Sequence, residues 1–104
     1  MLNWYNHLYI GDNVKKKFEK VKKKLDQGKV VPGIFLITLA ANGVDQLDII
    51  NSFYLMQDTM YRRCPMIVGV AKDQGEAVSL VIKITEETFA KNGNGNIKEY
   101  LLQG

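Results

Sequence analysis

The residues whose type and spacing most clearly suggest a chemical role are lysines, and they are concentrated in one short segment. Eight of the fourteen basic residues lie within positions 15 to 29. Four apolar residues interrupt this run at steps of four, three and four, namely Val14, Phe18, Val21 and Leu25. The spacing predicts a helix over residues 12–28 with one buried stripe and a basic exposed surface. Asp12 is the expected N-cap, and Gly28 is the expected left-handed residue at the helix C-terminus.

A basic helix surface could bind a nucleic-acid backbone or an anionic membrane. Two arginines later in the chain could also clamp a phosphate. The candidate contacts are Lys16, Lys20, Lys23, Arg62 and Arg63. However, residues 12–29 carry a net charge of +5 and the remainder of the chain carries −2, so the basicity belongs to one element. The lysine surface also lacks an aromatic residue for base stacking. A solvated helix is therefore the simpler interpretation, and nucleic-acid binding is an alternative.

A second candidate site follows from the ends of the two most apolar stretches of the chain. Asn42 follows the first of them, and Lys72 and Asp73 follow the second. If the two stretches form parallel neighbouring strands, both loops lie at the edge of the sheet where α/β proteins bind ligands. Lys72 beside a helix N-terminus would then attract a nucleotide or another phosphate metabolite. The competing interpretation is a capping box, in which Asp73 and Glu76 satisfy the helix donors.

Metal binding and catalysis have little support in the sequence. His7 and Cys64 are the only residues of their types, and together they cannot form a usual protein zinc site. We therefore predict no metal and no cofactor. A nucleophile pair of Cys64 and His7 is conceivable, but Cys64 continues an apolar helical stripe that is typical of a buried cysteine. Because no acid, base and nucleophile stand at compatible spacing, we predict no catalytic residue, and an enzyme is the least supported class.

The strands that would position these residues have a clear apolar pattern. Residues 34–40 and 66–71 are β-branched and apolar on both faces, which predicts two strands covered on both sides of a sheet. A shorter strand is predicted at residues 46–51, joined to the first by a hairpin or by an open loop. Gly69 inside its strand indicates a close approach by a neighbouring backbone or a large side chain.

Three more helices follow from the 3.6-residue period. A helix beginning at Ser52 is predicted to bury a stripe of four residues, Phe53, Met56, Met60 and Cys64. A long helix over residues 73–91 is apolar around more than half of its circumference, so a second helix or a second subunit must help the sheet to cover it. A short terminal helix is predicted after Asn96, with a strand as the alternative.

The N-terminal residues 1–11 form a predicted arm that packs on its own domain or on a second subunit. Its apolar residues fit either an extended segment or a helical turn. With 104 residues the chain is long enough for one domain with its own core. The predicted fold class is α/β or α+β, with a mixed sheet of about three strands, helices packed on it, and the order α-β-β-α-β-α-α.

Compartment and relationship are predicted from fewer features. A single cysteine fits a reducing cytoplasm, and the longest apolar run, residues 34–41, is too short to span a bilayer. The segments 31–43, which reads VPGIFLITLAANG, and 67–77, which reads IVGVAKDQGEA, resemble a family of short uncharacterised bacterial proteins. That resemblance covers most of the chain and implies a bacterial cytoplasm, but no activity and no functional residue.

The function predicted from these observations is a small non-enzymatic binding or assembly protein that self-associates, with a dimer favoured. Its expected interface combines the apolar N-terminal arm with the apolar surface of the long helix. The two alternatives are the binding of an anionic small molecule at Asn42, Lys72 and Asp73, and nucleic-acid binding through the lysine-rich helix.

Overall fold

The computed structural model describes residues 2–40 and 46–103. Within these residues the chain forms four strands, which are β1 (Trp4–Ile10), β2 (Phe35–Leu39), β3 (Leu47–Asn51) and β4 (Ile67–Ala71). The α-helices of the same residues are α1 (Phe18–Asp26), α2 (Asp58–Arg62), α3 (Gln74–Asn92) and α4 (Ile97–Gln103). Two 3-10 helices precede α1 and α2, at Lys15–Lys17 and Ser52–Met56. The predicted class, a mixed sheet with helices packed on it, is confirmed.

The strands form one sheet in the order β1-β4-β2-β3. The two strands predicted to be central, β2 and β4, are neighbours in its middle, and all five residues of β4 are buried. β2 and β3 form an antiparallel hairpin in which Phe35 faces Asn51 and Leu39 faces Leu47. β1 pairs with β4 in parallel orientation at the other edge.

The N-terminal arm is the fourth strand, which the sequence left open between an extended segment and a helical turn. Alternate residues of β1 face opposite sides of the sheet, so that Trp4 and Leu8 pack in one core and Tyr5 and Tyr9 in the other. Leu2, just before the strand, is only 7% exposed. The arm is therefore bound within its own domain, and its apolar side chains are not part of a free interface.

Helices cover both faces of the sheet and create two cores. On the first face, which we call the α1 side, the predicted stripe of α1 packs against β-strand residues together with Leu55 and Tyr61. The stripe prediction is confirmed because Val14, Phe18, Val21 and Leu25 are at most 8% exposed. On the opposite face, the α3 side, Ala77 and Ile84 of α3 pack with residues of α4 on the sheet.

Some predicted helix ends are confirmed and others are wrong. Gly28 and Gly93 follow α1 and α3 with φ angles of 74° and 73°, where a residue without Cβ is favoured. Asp12 is not the N-cap of a long helix, because the chain first makes the 3-10 turn Lys15–Lys17 and α1 begins only at Phe18. The terminal helix is confirmed, and Asn96 accepts a hydrogen bond from the backbone N–H of Glu99 at 3.1 Å.

The predicted helix after Ser52 is wrong in its continuity and in its buried stripe. Gln57 has an extended backbone, with φ −79° and ψ 123°, and this divides the segment into a 3-10 helix and the short α2. The spacing of a single α-helix therefore does not apply across it. Leu55 is buried, whereas Phe53, Met56 and Met60 are exposed.

Candidate functional site

Lys72 and Asp73 lie where β4 ends and α3 begins, as expected, but a different loop meets them. β2 and β4 are antiparallel, with Phe35 opposite Ala71. The C-terminal end of β2 therefore lies at the other end of the strands from Lys72. The two loops do not meet, and the prediction that they form one site is wrong. Asn42 itself lies outside the described residues.

The parallel neighbour of β4 is β1, so the loop after β1 lies beside Lys72 and Asp73. The backbone N–H of Gly11 donates to the carbonyl oxygen of Val70 at 2.8 Å, which holds the two chain segments together. Glu76 from the first turn of α3 lies directly against Gly11, leaving no room for a Cβ atom there. The carboxyl ends of two parallel neighbouring strands therefore meet here, but the strands are β1 and β4.

Several N–H donors at this edge already donate hydrogen bonds to carboxylates of the protein. Asp73 accepts a hydrogen bond from the backbone N–H of Glu76 at 2.7 Å, which confirms it as the N-cap of α3. Glu76 accepts the backbone N–H of Lys72 at 2.8 Å and the side-chain amide of Asn13 at 2.9 Å. The geometry is that of the capping interpretation, with Glu76 reaching Lys72 and Asn13.

A groove of about 490 Å³ runs along this edge, a size that could hold a small molecule. Its charged lining residues are Asp12, Asp73, Glu76, Lys15 and Lys83. Three carboxylates and two ammonium groups leave the groove with a net charge of −1. Within residues 2–40 and 46–103, no three or more His, Cys, Asp or Glu side chains are placed so that they could hold a metal ion together. The charge balance disfavours an anionic ligand at this groove.

The candidate lysines lie on the solvent side of α1. Lys16, Lys20 and Lys23 are exposed, because the apolar stripe on the opposite surface of the helix faces the sheet. In the described part of the chain, the lysines of this segment form two ion pairs, Lys15 with Asp12 at 3.0 Å and Lys22 with Asp26 at 3.8 Å. We call the exposed residues Lys16, Lys17, Lys20, Lys23 and Lys24 the lysine face.

The two candidate arginines lie on the same side of the sheet as the lysine face. Arg62 is the last residue of α2, and its Nε is 3.1 Å from a carboxylate oxygen of Asp58, with both side chains 76% exposed. Arg63 follows directly and is also exposed. Fully hydrated ion pairs of this kind contribute little to stability. The structure therefore brings the candidate basic residues of the sequence onto one side of the molecule.

Among the described residues, most of the exposed large apolar side chains belong to two surfaces, and sequence periodicity indicated only one of them. The first belongs to α3, where Val78, Ile82 and Phe89 are 42%, 53% and 54% exposed. The second, which we call the 53–60 patch, comprises Phe53, Tyr54, Met56 and Met60 on the α1 side. The sequence predicted that three of these four residues are buried, so this exposed surface was not predicted.

The α3 side also contains a cluster of tyrosines that the sequence did not indicate, because its members are far apart in the chain. The Tyr9 hydroxyl donates to Oε1 of Glu87 at 2.6 Å, and the Tyr100 hydroxyl lies 3.4 Å from the same atom. The Tyr5 hydroxyl donates to the carbonyl oxygen of Leu101 at 2.8 Å. These bonds attach β1 to α3 and α4, so the cluster has a structural role.

His7 and Cys64, the nucleophile pair that the sequence makes conceivable but disfavours, do not meet. The His7 ring lies 5.8 Å from that of Tyr5, and the two residues line a shallow depression on the α3 side. Cys64 packs with the core of the α1 side, so the sheet separates the two residues. Burial also raises the pKa of the Cys64 thiol, which disfavours the nucleophilic thiolate.

The buried tyrosines predict a loss of stability at alkaline pH. Burial raises the pKa of Tyr9 well above its ordinary value of 10.0, and its hydrogen bonds to Glu87 and Tyr100 raise it further. Burial likewise raises the pKa of Tyr5 and Tyr61. Because the unfolded chain then loses these protons first, stability should be unaffected well below pH 10 and fall as the pH rises through and above it.

Thermal unfolding measured between neutral and strongly alkaline pH tests this expectation. Tyr9→Phe should reduce the alkaline decrease in the midpoint temperature, because the group with the largest shift is removed. Tyr54→Phe is the matched control, since Tyr54 is 52% exposed. Equal alkaline slopes for Tyr9→Phe and the parent protein would contradict the assignment.

Comparison of the chain with protein-family models, with curated proteins and with solved structures found no match. Among the described residues, no helix is both long and apolar enough to cross a membrane. The functional argument therefore depends on the surfaces of this molecule itself.

Proposed function

We propose that this protein is a small non-enzymatic assembly protein that forms a homodimer through α3. The observation that carries the proposal is a row of side chains on the longest helix of the described chain, in which Val78, Ile82 and Phe89 are exposed and Thr85 is half-buried. We call this row the α3 seam. The apolar arm, which was part of the interface expected from the sequence, is not part of this proposal, because its apolar side chains pack in the protein's own cores as strand β1.

The spacing of the seam supports helix pairing. Its residues recur at steps of four, three and four, which is the spacing of the a and d positions of a coiled coil. Such residues form a narrow row on one surface of a helix and fit between the side chains of a facing helix. Ala77, Ile84 and Thr88, on the opposite surface of α3, are buried against the protein's own core. The seam is therefore additional apolar surface that the domain itself does not cover.

The surface beside the seam is compatible with a second copy as the partner. Glu86, which is exposed, lies next to the seam, whereas Lys83 lies farther around α3, with its ammonium 5.9 Å from the centre of the Tyr9 ring. A twofold interface places the same surface on both subunits, so it must be complementary to itself. An apolar row can pack against the same row of a second copy, whereas the lysine face would repel its own copy. We propose the cytoplasm as the compartment, which the single cysteine supports.

The test is the effect of a charge placed in the seam. Ile82→Glu should weaken the dimer by at least about 30-fold in dissociation constant, because the loss of a hot-spot residue near the centre of an interface costs about 2 kcal/mol or more. Size-exclusion chromatography with light scattering at micromolar concentration gives the mass. Because Ile82 is 53% exposed, the variant should keep its fold, which circular dichroism checks.

Leu102→Glu is the matched control, since Leu102 of α4 is 56% exposed and lies outside the seam. This variant should remain dimeric. A parent protein that is monomeric at micromolar concentration would exclude the proposal. A dimer that Ile82→Glu leaves intact would exclude α3 as its interface.

A further inference from the structure

The lysine face and the 53–60 patch lie next to each other on the α1 side. The Tyr61 hydroxyl of α2 donates to the backbone carbonyl oxygen of Asp26, the last residue of α1, at 2.6 Å. Gln27 and Gly28, just after α1, line the same shallow depression as Met56 of the 53–60 patch. Asp26 and Asp58 also line this depression, so the lysine face and the 53–60 patch meet at a junction that contains two carboxylates.

We propose that this combined surface binds the anionic surface of a phospholipid membrane. The five lysines would attract acidic headgroups, and Phe53, Met56 and Met60 would enter the boundary between headgroups and acyl chains. Peripheral membrane attachment generally requires two such contributions, because either one alone is weak and reversible. The surface uses neither the α3 seam nor any residue of the proposed dimer interface.

The composition of the surface supports a membrane over a nucleic acid. Proteins that bind single strands place aromatic rings along a basic groove, so that successive bases stack while the backbone is neutralised. Here the lysines occupy a helix surface with no aromatic residue among them, and the apolar residues gather at one end. Two of the four patch residues are methionines, whose flexible thioethers suit a fluid hydrocarbon boundary better than they suit base stacking.

The exposure of the patch supports a function beyond packing. Four large apolar side chains stand in water within eight residues of the chain, although Leu55 in the same segment is buried. The 3-10 geometry of Ser52–Met56 produces this outcome, because it turns Ser52 and Leu55 toward the core and leaves Phe53, Tyr54 and Met56 outside. Exposed apolar patches commonly mark interaction sites, and these four side chains come from a single eight-residue segment.

Sedimentation of the full chain with lipid vesicles tests the proposal. The protein should pellet with vesicles of phosphatidylserine and phosphatidylcholine, and it should stay in solution with phosphatidylcholine alone. The triple substitution Lys16→Gln, Lys20→Gln and Lys23→Gln should reduce the vesicle partition coefficient by roughly a hundredfold, at about fivefold for each lysine. Phe53→Ser with Met56→Ser should also weaken binding, while leaving its dependence on salt in place.

The matched control removes three exposed lysines from other surfaces, with Lys72→Gln, Lys91→Gln and Lys98→Gln. This variant has the same net charge as the first triple variant and should bind vesicles nearly as the parent does. Equal losses in the two triple variants would show a nonspecific charge effect and overturn the proposal. Absence of binding to the acidic vesicles would also overturn it. So would binding to single-stranded or duplex oligonucleotides, measured by fluorescence anisotropy, without binding to vesicles.

Discussion

Gly69→Ala should destabilise the protein by about 1–3 kcal/mol, the usual cost of forcing an extra group into a packed core. Gly69 lies in β4, at the centre of the sheet. A methyl group there would lie 2.9 Å from Cδ1 of Ile37 on β2 and 3.3 Å from the carbonyl oxygen of Tyr9 on β1. Because strands on both sides hold these atoms, the added group cannot be accommodated by the movement of a flexible side chain alone.

A double-mutant cycle identifies the cause of this loss. Ile37→Val removes the nearest atom, Cδ1, and alone should cost about 0.5–1.5 kcal/mol. The double variant should be more stable than the sum of the single effects predicts, with a coupling of at least about 0.5 kcal/mol. Urea denaturation measures all three values. Strict additivity would show that contact with Ile37 is not what limits residue 69.

Asp26→Ala should destabilise the protein by about 2–3 kcal/mol, because hydrogen bonds to a charged group are the stronger kind. Oδ1 of Asp26 accepts the indole N–H of Trp4 at 2.8 Å and the backbone N–H of Leu2 at 3.2 Å. The Lys22 ammonium lies 3.8 Å from Oδ2 and 5.6 Å from the centre of the Trp4 ring. This carboxylate therefore fixes the start of β1 to the end of α1.

Trp4 is the sole tryptophan, so its fluorescence reports this contact directly. Asp26→Ala should shift the emission toward that of a hydrated indole and lower the urea midpoint. Asp26→Asn should cost less, because the amide oxygen still accepts the indole N–H. Asp58→Ala is the matched control on the same side of the sheet, and its exposed ion pair with Arg62 should be worth no more than about 0.5 kcal/mol. Equal losses at the two positions would contradict this role for Asp26.

The candidate site shows where sequence reasoning succeeded and failed. Lys72 and Asp73 were correctly expected at the junction of a strand and a helix, because a local capping pattern marks that junction. The loop predicted to lie beside them, the one after β2, is wrong. That prediction requires β2 and β4 to be parallel, and they are antiparallel. Gly11 and Asn13 complete the edge, and no local pattern distinguishes them from any other loop.

The prediction for the 53–60 patch was wrong for a different reason. Phe53, Met56 and Met60 have helical spacing, and this pattern predicts a buried stripe only if one helix runs through all of them. The extended backbone of Gln57 interrupts the helix, and the two short segments orient their side chains independently. The exposed α3 seam, by contrast, was indicated by the sequence, since α3 is more apolar than one sheet can cover.

By itself, the sequence determined the features that depend on neighbouring residues. These are the apolar stripe of α1, the two central strands, the N-cap of α3, the close approach of neighbouring strands at Gly69 and the excess apolar surface of α3. Periodicity and capping act over a few residues, so they can be recognised in the chain. Only the tertiary structure decided that the N-terminal arm is a strand beside β4, that β2 runs against β4, and that the basic and apolar surfaces of the α1 side meet. Every strand offers the same backbone donors and acceptors to any partner, so these outcomes depend on how the side chains of the whole core pack.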